Sequence, residues 1–99
     1  MAQDSPCTSA QHSEYLRAVQ ERITSNWRLA SHYNTVSCTV LIAQTFRGEI
    51  LNAAVQGCTD PEIVKTIEDA TYLSSPLPLP RNGSCFERRI EVRIVRKPG

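Results

Sequence analysis

Val36-Ser37-Cys38-Thr39-Val40-Leu41-Ile42-Ala43-Gln44, then Thr45-Phe46-Arg47-Gly48, then Glu49-Ile50-Leu51-Asn52-Ala53-Ala54-Val55-Gln56-Gly57-Cys58 read in succession as one arm, the turn and the other arm of a β-hairpin. Both arms are rich in β-branched and aliphatic residues, which suit a pleated, half-buried surface. Gly48 sits where a tight connection closes through the left-handed region, a conformation that costs little only without a Cβ. Cys38 and Cys58 stand at the ends of the hairpin. The rest of the chain covers or extends this unit.

Upstream, residues 1–8 offer nothing to bury and read as a tether, so the single domain spans residues 9–98. Thr8 and Gln11 have capping-box spacing, and Leu16, Val19, Ile23 and Trp27 recur at three- and four-residue steps, which predicts an amphipathic helix ending near Asn26. Its other face, Glu14, Arg17, Gln20, Glu21 and Arg22, reads as solvated. Residues 28–35 are a polar connection.

Downstream of the hairpin, Asp60 caps a second helix, Pro61 suits its first turn and Glu62 complements its dipole. Ile63, Ile67 and Ala70 give it one apolar stripe, and Ser74-Ser75-Pro76 ends it. Leu77-Pro78-Leu79-Pro80 is an extended strap that lays Leu77 and Leu79 over the core. Arg81 to Ser84 turns the chain into a last strand, Cys85 to Val95, where Phe86, Ile90, Val92 and Ile94 alternate with Glu87, Arg89, Glu91 and Arg93. Arg88 breaks the apolar side and belongs at its rim.

Helix, hairpin, helix and strand predict an α+β fold: a three-stranded antiparallel sheet of order 2-1-3 with helices on one face. That topology sorts the four cysteines. Cys38 and Cys58 share one end of the sheet. Cys85 starts the third strand at the other end, where the first helix also brings Cys7. The expected bridges are therefore Cys38–Cys58 and Cys7–Cys85.

The 99 residues fit one domain, with 11 basic against 10 acidic side chains, so composition provides no general attraction for nucleic acid. No apolar run reaches the length of a membrane span, and the start of the chain lacks a signal peptide. An even cysteine count favours disulfides and an oxidising compartment, which predicts a piece of a longer exported protein with Met1 as an added start. No cysteine pair has zinc-ligand spacing, and His12 and His32 read as surface residues, so no metal and no cofactor are expected. Phosphate loops and nucleophile or metalloprotease motifs are absent, and Glu68 and Asp69 point to different helix faces, leaving an enzyme no residues to work with. Asn82-Gly83-Ser84 has the form of a glycosylation sequon, but its turn role explains it.

The positive signal is the sheet edge. The last strand, through Phe86, Glu87, Arg88, Arg89, Ile90, Glu91, Val92, Arg93 and Ile94, is one of two open edges, whose backbone donors and acceptors are either protected and solvated or used by a partner strand. Ile90 is taken as one such edge donor, so Ile90→Pro is expected to remove it.

Ser37-Cys38-Thr39-Val40-Leu41-Ile42, the turn ending at Gly48, Asp60-Pro61 opening a helix, Ile23-Thr24-Ser25-Asn26-Trp27-Arg28 and the closing strand from Arg88 to Pro98 resemble the periplasmic C-terminal domain of TolA. TonB C-terminal domains share that fold, but the chain lacks their Trp-x-Tyr/Phe-x-Pro signature before the last strand. The resemblance implies a periplasmic module of the Tol-Pal envelope system, tethered to the inner membrane by a segment outside this sequence. It implies TolB and Pal as partners, with colicins and the minor coat protein of filamentous phages as parasites, several of them adding a strand at a sheet edge. Cys38 matches the family's first-strand cysteine. Where some members carry the second inside the second helix, this chain has Ile63 and Val64, and Cys7, Cys58 and Cys85 depart from the pattern. A TonB-like energy transducer is the neighbouring reading. A cystatin-like protease inhibitor is the rival of another class, since Ala53-Ala54-Val55-Gln56-Gly57 resembles the Gln-x-Val-x-Gly loop with Ala53 in place of its leading glutamine.

Overall fold

A computed structural model describes residues 5–28 and 35–96. The elements run α1 (Ser9–Ser25), β1 (Val36–Gln44), β2 (Ile50–Gln56), α2 (Pro61–Leu73), a short 3-10 helix (Gly83–Cys85) and β3 (Arg89–Arg96). The strands form one antiparallel sheet of order β2-β1-β3, so the fold is α+β as the sequence predicts. His32, residues 1–4 of the tether and residues 97–99 lie outside the described residues.

The local chemistry at each boundary is the one the sequence carries. The Thr8 hydroxyl accepts from the Gln11 backbone while the Gln11 side chain accepts from the Thr8 N–H, completing the capping box. The Asp60 carboxylate accepts from Glu62 N–H at 2.9 Å with Pro61 in the first turn. At the hairpin, Gly48 has φ +85°, and its Cβ position is blocked by the Leu77 carbonyl. Thr45 stitches the turn by accepting from the N–H groups of Arg47 and Glu49 at 3.2 and 3.1 Å. Opposite Ala43 and Gln44 the register slips by one residue, leaving Leu51 exposed.

Both helices cover the same face of the sheet. Helix α1 packs against β3, α2 against β2, and the helices against each other. Val40, Ile42, Ile90, Val92 and Ile94 from the sheet meet Tyr15, Val19 and Ile23 of α1 and Ile63, Ile67 and Ala70 of α2. Burying each large aliphatic side chain contributes about 1.5–3 kcal/mol, enough in sum to hold a small domain when bridges assist. Cys7–Cys85 and Cys38–Cys58 close with Cα separations of 5.0 and 5.5 Å at opposite ends of the sheet.

Four expectations shift. The buried stripe of α1 begins at Tyr15, whose hydroxyl finds a partner inside, while Leu16 and Trp27 are only partly buried. Gln20 and Arg22, read as solvated, donate to the carbonyls of Arg93 and Pro76 at 2.7 and 3.3 Å. In the strap, Leu77 is buried with its N–H on the Gly48 carbonyl at 2.7 Å, but Leu79 is 53% exposed. The last strand starts at Arg89, not Cys85. Asn82 accepts from Ser84 N–H and nucleates the 3-10 turn that aims Cys85 inward, so Phe86, Glu87 and Arg88 precede the ladder.

Candidate functional site

The sheet has two edges, β2 and β3, and antiparallel geometry decides which backbone groups each presents. Along a strand, the N–H and C=O of one residue point to the same side and successive residues alternate. Ala53 N–H donates to the Tyr72 hydroxyl at 3.1 Å, so Ala53 faces away from β1. Ala53 lies opposite Ile42, whose backbone must then turn to β3, where its partner is Ile90. Ile90, Val92 and Ile94 therefore bond inward to β1, and Arg89, Glu91, Arg93 and Val95 face outward. The Arg93 carbonyl agrees independently, since it accepts from Gln20 Nε2 at 2.7 Å on the far side from β1. This corrects the reading of Ile90 as an edge donor: its N–H belongs to the ladder.

The edges differ in how they are finished. On β2, two outward donors are taken, Ala53 by Tyr72 and Ile50 by the Ser75 hydroxyl at 3.1 Å. On β3, among the described residues, the outward N–H groups of Arg89, Glu91, Arg93 and Val95 have no intramolecular acceptor, and Gln20 occupies one carbonyl. A groove of about 300 Å³ runs beside this edge between α1 and β3, lined by Ser13, Leu16, Arg17, Gln20, Glu91, Val92 and Arg93. A separate depression further along α1 and β3 is lined by Thr24, Trp27, Arg28, Val95 and Arg96.

Of the residues the sequence assigned to the edge strand, Arg89, Glu91 and Arg93 are exposed on the helix-free face, while Ile90, Val92 and Ile94 are buried under α1. Phe86, Glu87 and Arg88 build the turn end instead. Phe86 packs on Phe46 with ring centroids 5.5 Å apart, and the Arg88 guanidinium sits 5.3 Å over the Phe46 ring. Glu87 pairs with His12 at 3.2 Å, and its carbonyl accepts from the fully buried Gln44 side chain. Gln44 Nε2 also donates to the Tyr15 hydroxyl at 2.8 Å. Burial pushes the Tyr15 phenol up; the Gln44 bond opposes the rise and the Glu87 charge adds to it.

No group of three His, Cys, Asp or Glu side chains is assembled to hold a metal among the described residues. The Asn82 amide of the sequon donates to the Ser5 carbonyl and to Gln11, each at 3.0 Å. The segment Ala53 to Gly57 resembling an inhibitor loop lies in β2 as far as Gln56, with Ala53 buried.

A family model described as TonB C terminal matches residues 12–94. The chain belongs to the TonB C-terminal family. Membership holds although the Trp-x-Tyr/Phe-x-Pro signature is missing before β3. Among solved structures, the fold is similar to the solution NMR structure of TolAIII bound to a peptide derived from the N-terminus of TolB, with a TM-score of 0.71 at 21% identity, covering 98% of this chain and 81% of that one. Among curated proteins, none matches in sequence. The TonB C-terminal fold thus comes, in this chain, with two outward donors of β2 capped by its own side chains and the outward donors of β3 without acceptors among the described residues.

Proposed function

We propose that this chain is a periplasmic protein-binding module of the TolA and TonB kind, which takes a partner segment as an added strand along β3. The observation that carries the reading is the asymmetry of the edges: on β2 the outward donors of Ile50 and Ala53 are capped and that of Val55 is open, whereas on β3 none of the four from Arg89 to Val95 has an acceptor among the described residues. An unsatisfied row of backbone groups is a template for strand pairing, in which main-chain hydrogen bonds supply affinity and alternating side chains supply selection. A TolB-like N-terminal segment is the first partner to test, because the similar TolAIII structure holds a TolB-derived peptide. Pal, colicins and phage minor coat protein would compete for the same module, and an inner-membrane anchor would lie outside this sequence.

Glu91→Pro tests the reading, since it deletes an outward N–H while leaving the β1 ladder intact. The variant is expected to keep its circular dichroism spectrum and lose binding of the TolB-like segment. Unchanged binding by the folded variant would move the site away from β3.

A further inference from the structure

Resting on that reading of the β3 edge, we infer that the incoming strand carries an acidic, a basic and an acidic side chain at alternate positions, opposite Arg89, Glu91 and Arg93. These three side chains stand in one row on the helix-free face of the edge strand, all exposed. On the inner side, their cross-strand neighbours on β1 are Ala43, Leu41 and Thr39, none of which carries a charge. Elsewhere in the described residues His12 meets Glu87 and Lys65 pairs with Asp69, and neither contact involves the row. A ladder of alternating sign is thus complete on one strand and unanswered on both sides. An added strand is the element that would place side chains directly opposite it, where opposite charges attract and like charges repel.

The pattern is symmetric, Arg-Glu-Arg, so the complementary sequence is the same whether the partner runs parallel or antiparallel to β3. The partner's intervening side chains fall on the other face, toward the groove beside Leu16 and Gln20. Small or apolar residues suit them there. The floor next to the row is a depression over Leu41, Ala43 and Ala54, which offers the partner's charged stems apolar surface to lie on. The partner class is therefore an extended peptide of acidic–apolar–basic–apolar–acidic pattern, and a uniformly basic or uniformly acidic segment fits worse.

The test uses the 99-residue chain, isotope-labelled, with two short extended peptides of identical apolar positions. One carries glutamate, lysine and glutamate at alternate positions and the other the inverse. The first should bind roughly tenfold tighter at low salt, with the margin shrinking as salt is added. The combined variant Arg89→Glu, Glu91→Arg and Arg93→Glu, which keeps the same kinds of side chain on the surface, should invert the preference. Equal affinities, with both peptides shifting the β3 amides, would overturn the charge rule while leaving the edge reading in place. A failure of both peptides to shift β3 amides would overturn the edge reading and the charge rule with it.

Discussion

At the scale of single residues, the sequence names its backbone specialists clearly and hides its side-chain latches. Gly48 was legible because a tight turn needs φ above zero, and here the Leu77 carbonyl also fills the space a Cβ would take. Gly48→Ala should cost about 1–3 kcal/mol in denaturant unfolding, from left-handed strain alone, with the clash adding to it. Tyr15 was not legible, since its helix neighbours Leu16 and Val19 suggest a stripe that leaves it out. It is drawn inward by the buried Gln44 amide, a pairing between residues 29 positions apart that no local pattern reveals. Burial holds the Tyr15 pKa above its ordinary 10.0, so its contribution to stability is fully present below the unfolded value and is lost as pH rises through the folded one. Tyr15→Phe should lower stability at neutral pH by about 1 kcal/mol and flatten the alkaline decline of the melting temperature. A decline of the same steepness in the variant would assign the alkaline sensitivity to another group.

At the scale of elements, type and order were readable from periodicity and caps, whereas strand ends and edge chemistry were not. The third strand looked longer than it is because Phe86 has the same parity as Ile90, Val92 and Ile94. The 3-10 turn capped by Asn82 and the inward pull of Cys85 break the strand before that parity matters. Register then decides which residues face outward, and register comes from pairing, not from the strand's own sequence. Ile90→Pro should therefore damage folding by about 3 kcal/mol through loss of a ladder bond, in contrast to Glu91→Pro. Edge protection is equally non-local: Tyr72 and Ser75 come from α2 and the turn after it to cap β2. Tyr72→Phe combined with Ser75→Ala should expose that edge and produce concentration-dependent association in analytical ultracentrifugation. A monomer at all concentrations would mean the two caps do not govern pairing. On β3, Gln20 must release the Arg93 carbonyl before a strand can dock across it, so Gln20→Ala should tighten partner binding by a few-fold at most.

At the scale of the whole molecule, the sheet order followed from the direction each element had to run, and the cysteine pairing followed from the order. The bridges also divide the stability unevenly. Cys7–Cys85 closes a loop with a sequence separation of 78 and Cys38–Cys58 one of 20. By loop entropy the longer bridge stabilises by about 4.5 kcal/mol and the shorter by about 3.3 kcal/mol. Cys7→Ser with Cys85→Ser should accordingly lower the unfolding midpoint more than Cys38→Ser with Cys58→Ser. What binds the domain was less legible than how it is built, because an edge advertises backbone and not identity. The partner is proposed from the TolB-derived peptide that the similar TolAIII structure holds and from the charged row on β3.

The measurement that tests the central claim most directly is a titration of the isotope-labelled chain with the N-terminal segment of a TolB-like protein, read at every backbone amide. Strand addition at β3 predicts that the amides of Arg89, Glu91, Arg93 and Val95 shift most and gain protection from solvent exchange, with the Gln20 side-chain amide released as binding saturates. Shifts centred on β2 or α2, with the outward β3 amides still exchanging freely, would contradict it.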